Sequence, residues 1–323
     1  MAWSWIRSGE ELLALSKEGA YASIAQGMRR RVDYWKTHFT DWPDRKTGWM
    51  HNYVCPVCTG FLTYDPDKPE EHRCPACGIA VENTKLVLEA WMYMRRFEIA
   101  TTLVDAAILY VLEGDETDAA FVTRVVDFYA DHYLEFEEYG INAGRGRIMG
   151  QSLDEAVWAT NALKALMTIG FDGKSDRGQR WHQRLFLPIS RLVVAQTSMI
   201  HNIPLWHASC AFCAGLFFGD ERLVTTTVSG ELGLRNQILK GFTEDSVWFE
   251  NSTGYHYYAM NAATTACLFA RWAGKQDQYV DLFDRVAGAY TALYKLRFRD
   301  RTMTAFNDSS RRDGVNGVKI HLN

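Results

Sequence analysis

The chain has 323 residues, 47% hydrophobic and 23% charged, the balance of a folded protein with a well-buried core, which excludes intrinsic disorder. Only 7 prolines and 24 glycines argue against collagen-like, linker-rich or many-turned all-β architectures. Lys+Arg 35 against Asp+Glu 39 leaves a net charge of -4, so no global basic field serves nucleic acid and an anionic partner must meet a local basic patch.

The N-terminus, Met1-Ala2-Trp3-Ser4-Trp5, meets Glu10 and Glu11 before an apolar core can form, so as written it is not a secretory signal. No apolar run reaches the length of a membrane span. Cytoplasm and periplasm both stay open as compartments. Helical periodicity first appears over 10–38, within a first segment taken as 1–50.

The next segment, 51–80, carries Cys55-Pro-Val-Cys58 and Cys74-Pro-Ala-Cys77 with fifteen residues between the pairs. Two knuckles, each with Gly nearby (Gly60, Gly78), supply four thiolates for a tetrahedral cage, and structural zinc is preferred over two disulfides. The intervening Tyr64-Asp65-Pro66-Asp67-Lys68-Pro69 is polar and turn-prone, as the loop of a zinc ribbon should be. Four protein ligands leave no open position, so this metal folds a loop and does no chemistry. His72 is discounted as a ligand. Cys210 and Cys213 are also two residues apart, but within an apolar helical run they read, with Cys267, as small buried hydrophobes.

From 81 to 300 the period is helical almost throughout: 86–112, 119–136, 153–169, 181–195, 205–218, 255–273 and 279–296, with a weaker helix over 220–239. Gly114-Asp115, Gly170 and Gly219-Asp220 close helices; Ser152 and Pro204 open them. No strand is expected before residue 300. Long helices joined by short turns make antiparallel hairpins, and without a repeat at the level of identity an α/α toroid is favoured over a consensus solenoid. The predicted class is all-α, an incomplete α/α toroid with an inserted zinc-ribbon-like loop. From 301 to 323 the pattern changes, and Val318-Lys319-Ile320-His321-Leu322 alternates like the first strand of a β domain. The chain reads as cut at the entrance to that domain.

Aromatics reach 13%, with 11 Trp and 15 Tyr, which suits sugar-stacking clefts as well as thick helix interfaces. Two segments concentrate polar and aromatic groups beside helix starts: His201-Asn202-Ile203-Pro204-Leu205-Trp206-His207, and Trp248-Phe249-Glu250-Asn251-Ser252-Thr253-Gly254-Tyr255-His256-Tyr257-Tyr258. Taken singly, Asn202 is a turn or capping residue, Ser252 or Thr253 a cap, and His207 or His256 a packed histidine. Together they suit proton abstraction beside a carboxylate. The C5 proton of a uronic acid becomes removable once its carboxylate is neutralised by hydrogen bonding, and a Tyr or His can then act as base and a Tyr as acid. A third stretch adds Arg145, Arg147 and Gln151. Beside it, Asp154 and Glu155 occupy a first helical turn, where the macrodipole favours them.

Glu250-x-Ser252-x-Gly254-Tyr255-His256, with Asn202 some fifty residues earlier and Gln151-x-Leu153-Asp154-Glu155 earlier still, resembles the heparinase II/III-like polysaccharide lyases. The paired Cys-Pro-x-Cys loop also occurs in members of that group. The resemblance runs from about Cys55 to Ser309. It implies an α/α toroid followed by a β-sandwich domain, with an acidic polysaccharide bound between them and cleaved by β-elimination. It further implies Asn202 as carboxylate neutraliser and Tyr255 as catalytic acid. The base stays open among Tyr255, His201 and His207, with His256 inside the motif. Arg145, Arg147, Gln151, Trp206, Glu250 and Tyr258 are the expected substrate contacts. Family members take a further catalytic His, and sometimes a Tyr, from the β domain, so this chain alone is expected to fold but to have little activity. Two other readings are a glycoside hydrolase, for which Glu250 and Asp154 are the candidate carboxylates, and a non-catalytic zinc-ribbon binding protein.

Overall fold

A computed structural model describes residues 19–300 and 302–307, with 14 and 309. The chain is mostly helical and divides into two compact units, Gly19–Val193 and the described residues from Val194 onward. The predicted strand over 318–322 and most of the helix start before residue 19 lie outside the described residues.

The first unit contains α1 (Gly19–His38), β1 (His72–Arg73), β2 (Ala80–Val81), α2 (Lys85–Glu113), α3 (Glu116–His132), β3 (Tyr139–Gly140), β4 (Arg145–Gly146), α4 (Ser152–Thr168), α5 (Asp176–Trp181) and all but the last residue of α6 (Leu187–Val194). Thr84 caps α2 by accepting from Val87 N, and Gly114 ends it in the left-handed region at φ 73°. Asp115 then caps α3, so a two-residue turn makes a hairpin. α2 packs on α1, α3 and α4 around fully buried Trp35, Trp91, Trp158 and Tyr129. Arg96, wholly buried, pairs with Asp41 at 2.9 Å and donates to the carbonyls of Ile148, Trp42 and Arg45. Tyr129 Oη donates to the same Asp41, so neither charge is left without partners.

The second unit contains α7 (Asn202–Phe218), α8 (Glu221–Val228), α9 (Leu234–Gly241), α10 (Thr253–Trp272) and α11 (Val280–Lys295). α7 is apolar on all sides and buries every residue except Ile203, so it is the centre of its unit. It packs along α10 and against α8 and α9. Cys210, Cys213 and Cys267 are buried in these helices, as small hydrophobes should be. Among the described residues no helix is long and apolar enough to cross a membrane.

Three expectations need correction. Two short antiparallel ladders precede residue 300: His72 pairs with Val81 and Arg73 with Ala80, Tyr139 with Gly146 and Gly140 with Arg145. Two residues per strand are too few to write an alternating pattern. The helix expected over 220–239 is two helices, α8 and α9, separated by Ser229-Gly230-Glu231-Leu232-Gly233. The helix expected over 181–195 contains a π turn at His182–Phe186, next to Pro188, whose missing N–H removes the regular bond to Arg184 O.

Candidate active site

The second unit brings the start of α7 and the start of α10 together through Glu250. His201, not Asn202, is the N-cap of α7: its backbone is extended and its Nδ1 accepts from Ile203 N at 3.5 Å. That bond places the ring proton on Nε2, which lies 3.4 Å from Glu250 Oε2. Asn202 begins the helix, 2% exposed. Its backbone N–H donates to Glu250 Oε1 at 3.0 Å, and its Nδ2 lies 2.9 Å from both Glu250 oxygens. Asn202 Oδ1 is buried and has no hydrogen-bond partner. Trp206 follows one turn later on the same face, its ring 5.3 Å from that of Tyr258.

Glu250 sits in the turn before α10, which is anchored at several points. Trp248 is fully buried and donates Nε1–H to Glu250 Oε1 at 2.7 Å. Its ring needs Gly241: a Cβ there would come within 2.2 Å of Trp248 Cζ3. Asn251 adopts a left-handed conformation at φ 54°, and Asn307 Nδ2 donates to the carbonyls of Glu250 and Asn251. Ser252 caps α10 by accepting from Tyr255 N at 3.2 Å, and it also bonds Ser309. Tyr255 and Tyr258 are half-buried on the first turns of α10.

His256 has a different job from the one its motif implies. It is fully buried, its Nδ1 accepts from Trp248 N at 3.0 Å, and its Nε2 donates to Ala289 O at 3.1 Å. Both ring nitrogens are engaged, and burial lowers its pKa to about 4, so it ties the Glu250 turn to α10 and α11 as a neutral ring. His207 is 1% exposed, and burial lowers it to about 4 as well.

Arg145, Arg147 and Gln151 belong to the first unit. Arg145 is 60% exposed and lies 3.4 Å from Glu138; Arg147 is 3.5 Å from the same carboxylate and donates to Phe136 O. Gln151 is the residue before α4 and makes no side-chain cap. Glu155, fully buried, accepts from Met149 N at 2.7 Å and from Tyr133 Oη at 2.9 Å. Burial raises its pKa against those hydrogen bonds. Asp154 accepts from Tyr93 Oη at 3.0 Å; burial, reinforced by the charge of Glu155, pushes it up to about 7.

The four thiols of the Cys loop also converge. Cys55 Sγ lies 3.6 Å from Cys77 Sγ, and Cys58 Sγ lies 3.4 Å from Cys74 Sγ and 3.8 Å from Cys77 Sγ. All four ligand atoms fall within 4.8 Å of one another, a group that can hold a metal ion. Tetrahedral thiolates about 2.3 Å from an ion would be about 3.8 Å apart, whereas a disulfide needs about 2.0 Å. The backbone N–H groups of Cys58 and Val57 point at Cys55 and lower its pKa, and those of Cys77 and Ala76 lower Cys74 to about 6. These donors favour the thiolate, the form a metal requires, at Cys55 and Cys74, whereas the thiols of Cys58 and Cys77 are raised by hydrogen bonds with the neighbouring sulfurs. His72 is engaged elsewhere, with Tyr53 Oη and Asn83 Oδ1 at 3.0 Å each.

Sequence reasoning missed Gln237, whose Oε1 accepts from His201 N, and did not assign the Trp248 indole, although it quoted that residue. Nothing in the local sequence marks Gln237, a helical residue 36 positions from its partner.

Comparison with known proteins places these residues in context. An exo-oligoalginate lyase from Saccharophagus degradans is 27% identical over 168 residues, 48% of this chain and 23% of that protein. An alginate lyase from Stenotrophomonas maltophilia is 24% identical over 196 residues, 58% of this chain and 26% of that protein. The matched stretches thus span about a quarter of each curated relative. The crystal structure of an alginate lyase from Bacteroides ovatus is similar in fold, with a TM-score of 0.55 and 15% identity over 93% of this chain and 84% of that one. Residues 194–320, which carry His201, Asn202, Glu250 and Tyr255, match the heparinase II/III N-terminus family model, and the resemblance written in the Glu250–His256 motif holds.

Proposed function

We propose that this chain is the helical, α/α-toroid part of a polysaccharide lyase that cleaves uronate-containing polymers by β-elimination. The observation that carries the reading is the convergence of Asn202, His201 and Glu250 beside the tyrosine-bearing start of α10. The curated relatives, both named as alginate lyases, support the substrate class.

In this reaction the C5 proton passes to a base, the electron pair forms a C4=C5 double bond, and the C4–oxygen bond breaks. The leaving oxygen takes a proton. The two N–H bonds of the Asn202 amide diverge widely, while the two Glu250 oxygens subtend a narrow angle from Nδ2, so one N–H covers both. The other N–H is left to donate to the uronate carboxylate and to stabilise the charge that builds there. Tyr255 supplies the proton to the leaving oxygen and is the preferred base, with His201 the alternative; His207 is too enclosed to be favoured. Trp206 and Tyr258 offer a stacking surface for sugar. For Arg145, Arg147 and Gln151 a substrate-binding role stays a proposal that rests on the resemblance. Hydrolysis through Glu250 is disfavoured, because its oxygens already accept from Asn202 and Trp248.

The thiolates of Cys55, Cys58, Cys74 and Cys77 would hold a structural zinc ion that folds the 53–81 loop. With four protein ligands it supplies no open coordination position.

The test screens the whole lyase, of which this chain is proposed to be the helical part, on alginate, heparan sulfate, chondroitin and hyaluronan for the ultraviolet absorbance of an unsaturated uronate. The proposal expects absorbance to rise with at least one polymer and to vanish for Asn202→Ala. Cleavage without that absorbance would refute elimination.

A further inference from the structure

We infer that Glu250 is the positioning residue of this site rather than a substrate contact: it fixes which edge of the Asn202 amide, and which tautomer of His201, a ligand meets. The kinetic part of this inference rests on the lyase reading; the geometric part does not.

A carboxylate offers about four lone-pair directions. Glu250 Oε1 lies within hydrogen-bond distance of Asn202 N, Asn202 Nδ2 and Trp248 Nε1, and Oε2 faces Asn202 Nδ2 and His201 Nε2. The side chain is only 12% exposed, so little capacity is left for a sugar. Because an ionised carboxylate can only accept, it compels Asn202 to turn Nδ2 inward, and that is why Oδ1 is the buried oxygen with no partner. The edge of the amide that Glu250 leaves unengaged therefore carries one N–H and one carbonyl oxygen side by side, both covered in this structure, where Asn202 is 2% exposed. The N–H suits a uronate carboxylate oxygen, and the carbonyl suits an adjacent sugar hydroxyl. The same carboxylate fixes the proton of His201 on Nε2, because the opposite nitrogen accepts from Ile203 N.

Glu250 is itself held from outside the site. Its neighbour Trp248 is pinned through its N–H to His256, which reaches Ala289 on α11, and Asn307 holds the Glu250 carbonyl. The residues that meet a ligand are thus oriented by one carboxylate, and that carboxylate is oriented by a ring with no ligand contact.

The experiment compares the natural protein with Glu250→Gln and Glu250→Asp, each checked for helix content and melting temperature. Gln keeps the shape but places an N–H among converging donors; Asp keeps the charge and withdraws it by one methylene. In 15N-labelled protein the Asn202 side-chain amide and the Trp248 indole N–H should each give a hydrogen-bonded, downfield signal that shifts in Glu250→Gln. Turnover should fall on the order of a hundredfold in Glu250→Gln with KM changed less than about threefold, since the interaction lost acts on developing charge. Glu250→Asp should restore part of the turnover. Unshifted amide and indole signals would overturn the positioning role. Shifted signals with wild-type turnover would overturn its catalytic consequence. If the whole lyase of which this chain is proposed to be the helical part cleaves no uronate polymer, the lyase reading fails, and the two signals alone decide how Asn202 is held.

Discussion

Glu250 and Glu155 are two carboxylates built alike and used differently. Each accepts from backbone N–H and side-chain donors, and each sits beside the start of a long helix. Around Glu155 every donor and acceptor is internal: Tyr133, Met149 and the carboxylate are all buried. Around Glu250 the partners keep something back: Asn202 Oδ1 has no hydrogen-bond partner, and His201 is about one-third exposed. A polar network becomes a site when its members are held but not used up. That criterion separates scaffold from chemistry where residue type alone does not.

The largest effect should come from the group proposed to move protons. Tyr255→Phe should lower turnover on the order of a hundred- to ten-thousandfold while oligosaccharide binding, measured by calorimetry, stays near normal. Tyr258→Phe should do far less, because its ring packs against Trp206 in either form. The reverse ranking would move the acid role to Tyr258.

Glu155→Ala sharpens the comparison from the scaffold side. It removes the carboxylate that accepts from the Tyr133 hydroxyl and the Met149 N–H, so urea unfolding should show a loss on the order of 3 kcal/mol. Glu250→Gln should affect turnover much more than stability. Equal stability losses in the two variants would dissolve the distinction.

The two regions should also respond to pH with opposite sign. Asp154, at about 7 in the fold, keeps its proton between roughly pH 4 and 7 while the unfolded chain releases it, so stability is lost as pH rises through that window. Asp154→Asn should match the wild type near pH 4 and exceed it by on the order of 3 kcal/mol at pH 8. His207, at about 4, stays neutral while the unfolded chain takes up a proton below about pH 6.5, so its contribution is lost as pH falls. His207→Gln should flatten the acid limb and leave the alkaline limb unchanged.

The smallest effect on the helices should come from the metal. Elemental analysis of protein purified without chelator should find one zinc, and its removal should expose the 53–81 loop to protease while leaving helical circular dichroism almost unchanged. Absence of zinc with four free thiols would refute the assignment.

Much of the scaffold was legible in the sequence because it rests on local rules. The period of 86–112 and 255–273 places α2 and α10 within a few residues, and the Cys-Pro-x-Cys pairs announce a thiol cluster by spacing alone. Ser252 was readable as a cap. The role of Glu250 was not, because its partners Asn202 and His201 lie nearly fifty residues away and only the fold joins them. His256 shows the same limit: a histidine beside the proposed catalytic tyrosine in sequence points, after one helical residue, into the core. The split of 220–239 and the π turn before Pro188 depend on how single residues compete for backbone bonds, which periodicity averages away.

The most direct test of elimination at the Asn202–Tyr255 site is the mass of the products released by the natural protein from a defined uronate oligosaccharide. The account predicts one fragment lighter by one water than a hydrolysis product, bearing a C4=C5 double bond, and its disappearance in Tyr255→Phe. Two saturated fragments whose summed mass exceeds that of the oligosaccharide by one water, or an unsaturated product undiminished in Tyr255→Phe, would contradict it.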